Sequence, residues 1–138
     1  MTMKDTERKI LIELRRALLH LHKALLEWER GAYEREHGRL SASELLTIIV
    51  RDPQFAWLRP ITELIVRIDG ALESEVDEAP VDVDGLVVQA RALAAPDDAS
   101  GAYAQRYHTA LQDHPDAVVA HGALSKLLKD VRTKETLH

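Results

Sequence analysis

Apolar residues recur in the first part of the chain at Leu14, Leu18, Leu21, Leu25, Trp28 and Ala32, alternately four and three positions apart, so they share one face of an α-helix. No Gly or Pro interrupts this run before Gly31, and it is dominated by Leu, Ala, Glu, Lys and Arg, which lose little side-chain freedom in a helix. The pattern predicts a single helix over residues 3–37. A second seam, Ile12, Leu19, Leu26 and Tyr33, widens the apolar arc to well over half the circumference. A stripe of roughly 100° is enough to lie on one neighbour, so this rod is expected to be contacted from several sides.

Gly38 is a plausible stop, and Ser41-Ala42-Ser43-Glu44 has the form of a capping box that starts the next helix near residue 42. Leu45 to Val50 is apolar nearly all round and is expected to be buried. Pro53 and Pro60 each suit a first helical turn and disfavour helix in the residue before, so a break falls between 51 and 60. Helix resumes through Ile61, Leu64, Ile65, Ile68 and Leu72, with Arg59, Glu63 and Arg67 able to pair on its outer face. After an acidic loop from Glu75 to Val81, Asp82 or Asp84 caps a short helix that ends at Pro96. Asp97 or Asp98 opens another that runs to about Asp113. His114-Pro115 turns the corner into a final helix from Pro115 to about Val131, with Ala117, Ala120, Leu124, Leu127, Leu128 and Val131 on one side.

These pieces predict an all-α fold: an antiparallel four-helix-type bundle with a long first helix and broken second and third helices, in a single domain over residues 1–138. The last helix is expected to cover only half of the roughly 50 Å first one. That would leave an open groove among residues 3–20, 61–77 and 82–94. Apolar surface is worth about 25 cal/mol per Å² when removed from water, so a homodimer is the expected way to close it.

Charge and composition then narrow the partners. Eighteen Lys and Arg against 23 Asp and Glu leave a net charge of −5, which argues against nucleic acid. The acidic residues concentrate between Glu73 and Asp98, a solvated loop region or a docking surface for a basic partner. The absence of cysteine excludes disulfides, thiol nucleophiles and Cys-based metal sites. The charged start and the interrupted apolar run after it fit neither a signal peptide nor a membrane span, so a cytoplasmic location is expected.

No catalytic set is legible. Ser41, Ser43, Ser100 and Ser125 have no evident His and Asp arrangement, there is no Gly-rich phosphate cradle, and Asp82-Val83-Asp84-Gly85 lacks the further ligands of a calcium loop. Glu34 to His37 and Glu135 to His138 sit at helix ends and do not make a di-iron core. No metal or cofactor is therefore assigned. The informative feature is a polar track, Arg15, His22, Glu29 and Glu36, spaced seven apart inside the wide apolar arc, with Tyr33 beside it. Buried polar groups need partners. The bundle layout brings the track towards His121 and towards Tyr107 or His108, so His22, Glu29, Tyr33 and His121 are candidate ligand-binding residues. Asp52 to Pro60 gathers Phe55 and Trp57 between two prolines, either as a packed corner or, with Arg59, as interface anchors. This stretch, with the Glu63 to Asp69 helix after it, resembles an uncharacterised family of small bacterial all-helical proteins, a resemblance that implies a helical fold and no activity. The expected function is a non-enzymatic protein-protein interaction or regulatory module. The alternative is a bundle binding a metal or small ligand through the His/Glu/Tyr cluster.

Overall fold

The long amphipathic run folds as one unbroken helix, α1 (Asp5–His37). It ends where the sequence says it should: Gly38 takes φ of 88°, a left-handed conformation that favours glycine, and its amide closes onto the Glu34 carbonyl at 2.8 Å. The computed structural model describes residues 5–73, 82–96 and 101–136, with side chains up to Val131. Beyond α1 these residues form α2 (Ala42–Arg51), a 3-10 segment (Pro53–Leu58), α3 (Arg59–Glu73), α4 (Val83–Ala94), α5 (Ala102–Asp113) and α6 (Pro115–Thr136). Among the described residues there is no strand, and no helix is long and apolar enough to cross a membrane.

The local signals act as their chemistry requires. Ser41 and Glu44 form the full capping box of α2, Asp52 caps the 3-10 segment through the Gln54 amide, and Asp82 caps α4 through the Gly85 amide. The 3-10 segment runs straight into α3, with Pro53 at its start. The proposed Asp97 or Asp98 cap lies outside the described residues, as does most of the acidic stretch; α5 begins after Gly101 with no side-chain cap.

Four helices close a ring around the core: α1 packs on α3 and α6, and α4 packs on the same two. Leu11, Leu14, Leu18, Leu21 and Leu25 of α1, Ile61, Leu64 and Ile68 of α3, Val87 and Ala90 of α4, and Leu124 of α6 meet there, each essentially inaccessible. The 3-10 segment seals one end with Phe55, Trp57 and Leu58.

Four expectations are corrected. α2 has no buried residue, although Leu45 to Val50 is apolar, because this helix is held chiefly against the 3-10 segment at the periphery. α1 is contacted from several sides, by α3, α6, the 3-10 segment and α5, but its fully buried face is narrower than the apolar arc. At 100° per residue its buried positions span an arc of about 140°, and Ile12 and Leu19 stand 42% and 41% exposed beyond it. The expected open groove is also filled among the described residues. α6 continues to Thr136 instead of stopping near Val131, and Leu128 and Val131 bury themselves against the half of the bundle that was expected to be bare. The outer-face pairs on α3 are also replaced: Arg59 donates to the Val50 carbonyl at 3.2 Å and Arg67 to the Gln89 side chain at 2.8 Å.

Candidate functional site

The polar track of α1 finds partners one after another along α3 and the 3-10 segment. Arg8 donates to the Leu72 carbonyl at 3.0 Å, Arg15 pairs with Asp69, and His22 Nε2 lies 3.2 Å from the Thr62 hydroxyl. Glu29 then meets Trp57 and Gln54. Numbers rise along α1 as they fall along its neighbour, so the two segments run in opposite directions, and a seven-residue spacing keeps each polar group on the same edge of the contact. Glu36, the next in the series, is exposed past the end of the zipper.

Glu29 is the centre of the arrangement. Its side chain is fully buried, and its oxygens accept four hydrogen bonds: Trp57 Nε1 at 2.7 Å, Gln54 Nε2 at 3.1 Å, and Arg106 through Nε at 3.2 Å and Nη2 at 2.5 Å. The last two form a bidentate fork, the strongest geometry a guanidinium offers a carboxylate. The same guanidinium carbon sits 4.5 Å from the Trp28 ring centre, a cation–π contact, and Trp28 meets Trp57 edge-on at 6.3 Å. One buried carboxylate thus gathers α1, the 3-10 segment and α5.

An aromatic chain leads away from it. Trp57 lies 5.9 Å from Tyr103, which stacks on Tyr107 at 5.6 Å, and the Tyr107 hydroxyl is 2.7 Å from His121 Nδ1. His121 Nε2 lies 3.4 Å from the Ser125 hydroxyl, and Tyr103 donates to the Leu93 carbonyl at 2.7 Å, tying α5 to the end of α4. Burial pushes both phenols well above their usual range, Tyr103 further because of Tyr107, so they remain donors. Burial lowers His121, helped by the nearby His108, and burial lowers His22. A neutral His121 accepts at Nδ1 from Tyr107 and donates from Nε2 to Ser125.

Beside Glu29 opens a cleft of about 470 Å³ with Trp57 and Tyr103 as walls, Pro53, Pro60 and Ala102 at its rim, and Gln54 and Arg106 as its polar lining. It offers flat aromatic surface and the guanidinium N–H groups not spent on Glu29. No family model, curated protein or solved structure matches this chain. The reading of the site therefore rests on its geometry.

That geometry divides the four candidate ligand residues. Glu29 and His121 sit at opposite ends of the aromatic chain; His22 joins Thr62 in the zipper; Tyr33 stacks on His37 at 4.2 Å and packs by Phe55 at 5.9 Å. They do not converge on one pocket. Phe55 is 1% exposed and Trp57 8% exposed, which makes them a packed corner, whereas Arg59 is exposed and bound to the backbone of α2. Sequence reading missed Arg106, Gln54 and Tyr103. The usable signal was Glu29 itself: a carboxylate inside an apolar arc demands a cation, and Arg106 lies between Tyr103 and Tyr107 on the helix that the layout already placed nearby.

Proposed function

We propose that this chain is a non-enzymatic interaction module, an antiparallel four-helix-type bundle of α1, α3, α4 and α6 that works in the cytoplasm as a homodimer, the second copy docking on α2. The observation that carries this reading is the state of α2. It has no buried residue, and Leu46 and Val50, one turn apart, stand 68% and 69% exposed. A helix of this length is marginal by itself in water, and grouped large apolar residues at a surface mark contact sites. A two-fold axis across α2 brings Leu46 and Val50 of both copies together. Sedimentation equilibrium of the wild type and of a Leu46→Glu, Val50→Glu double variant tests it. The wild type is expected to dimerise at micromolar concentration and the variant to be monomeric with unchanged helicity. A wild type that is monomeric at high micromolar concentration rejects the proposal, as does a dimer indifferent to the double substitution.

The cleft supports a second reading, a site for a small apolar ligand bearing an acceptor group. Its volume falls within the range of about 300–1,000 Å³ typical of ligand pockets, and it takes the place of a pocket built from His22, Glu29, Tyr33 and His121. An anionic aromatic dye should bind with Trp quenching in the wild type and several-fold more weakly in Tyr103→Ala. Equal binding by both discards this reading.

A further inference from the structure

We propose that Glu27, His114 and Asp116 form a binding site for a first-row divalent cation, with Zn²⁺ the best fit. A ring nitrogen of His114 and one carboxylate oxygen from each of Glu27 and Asp116 lie within 4.8 Å of one another. The three come from two parts of the fold: Glu27 from α1, and the other two from the corner between α5 and α6. The site is separate from the Glu29 node and rests on neither reading above.

The corner explains how the ligands converge. Residues two apart on a helix point about 200° from each other, so His114 and Asp116 could not share a ligand within a helix. Pro115 disfavours helical geometry in the residue before it, and His114 accordingly takes φ −126° and ψ 105°, ending α5 in an extended conformation. This turns the imidazole back towards the first turn of α6, where Asp116 stands, and α1 packs against both α5 and α6 to bring Glu27 alongside.

The second observation is His114 itself. Its Nε2 is enclosed by protein and has no hydrogen-bond partner, the one such side-chain atom among the described residues. Buried polar atoms in folded proteins are nearly always satisfied, and each exception calls for a reason. An imidazole nitrogen beside two carboxylates is a donor set for a borderline cation. Zn²⁺ binds nitrogen and oxygen at about 2.0–2.2 Å, which places tetrahedral ligand atoms roughly 3.3 Å apart. Both carboxylates are exposed, and only a small contraction separates their spacing from that one. Three protein ligands leave one position for water, and the net charge of −5 favours a cation.

Isothermal titration calorimetry of the whole chain with ZnCl₂ alone tests the site, with Glu27→Gln, Asp116→Asn and His114→Ala in parallel. Exposed histidines such as His20 and His37 are further imidazole donors, so the affinity of the tightest site is compared and not total uptake. One equivalent should bind tightest in the wild type, and each substitution should weaken it by at least about tenfold, as loss of even a ligand-orienting group does. With Co²⁺ in place of Zn²⁺, visible absorption of a four- or five-coordinate ion should appear in the wild type and fade in the variants. Glu27 and Asp116 are exposed, so their variants keep the fold and decide the matter if His114→Ala does not fold. Absence of a saturable site, or wild-type affinity in either carboxylate variant, overturns the proposal.

Discussion

Glu29 shows at the scale of one side chain why polarity inside a core is costly and still specific. A carboxylate without partners in a dry interior is unstable, and here four N–H groups from two elements, the 3-10 segment and α5, surround it. Glu29→Ala should lower stability by about 3–5 kcal/mol, the cost of breaking a buried pair, at the lower end because Arg106 is 39% exposed and can turn to solvent. Glu29→Gln, which keeps the shape and one acceptor, should cost about 1–3 kcal/mol. Urea unfolding measures both. Equal stability of all three proteins would show that the node contributes no net energy. The carboxylate was legible in the sequence as an anomaly, whereas its partners Gln54, Trp57 and Arg106 lie 25, 28 and 77 residues away and follow no periodicity that links them.

At the scale of elements, α1 and α2 contrast. α1 has a leucine ridge that two neighbours cover, so packing holds it and its ends matter little. α2 has a capping box and few other anchors, since none of its residues is fully buried, only Leu45, Ile48 and Ile49 are half-buried, and it meets chiefly the 3-10 segment. Its stability is therefore local, and the cap should dominate it. Ser41→Ala should cost about 1 kcal/mol and speed hydrogen exchange throughout α2 while leaving the α1 and α6 amides protected. Faster exchange confined to the first turn alone, or a matching loss of protection in α1, would contradict this. Apolar content misjudged α2 because hydrophobicity states what a segment could bury, not whether a neighbour is there to bury it.

The whole molecule carries a pH dependence that follows from two half-buried histidines. Unfolded imidazoles titrate near 6.5, and burial holds His22 and His121 below that value in the folded protein. Between the two values the unfolded chain binds more protons, so stability that is complete above about 6.5 is lost as the pH falls from there through the folded values. The slope is at most about 1.4 kcal/mol per pH unit for each histidine. His121→Gln keeps an acceptor for Tyr107 and should flatten this part of the profile, and His22→Gln should do so independently. Urea midpoints across this range provide the check, and an unchanged slope in both variants would place the dependence elsewhere. The carboxyls of Glu34 and Glu44, lowered first by the backbone amides of Leu40 and Ser41, act at lower pH and do not confuse the window.

Sequence alone determined the helical segments, the caps at Ser41 and Asp82, the stop at Gly38, the corner at His114-Pro115 and the leucine face that α1 buries. These depend on interactions within a turn or two, or on a spacing that repeats every three or four residues. It also exposed the polar track as something needing partners. Only the tertiary structure decided that Arg15 and His22 would be answered from α3, that Arg106 and not a histidine would meet Glu29, that α6 would close the groove, and that α2 would remain outside. Each of those outcomes depends on where a helix ends and which edge it presents after packing, and the free energies that fix them come from contacts between residues far apart in the chain.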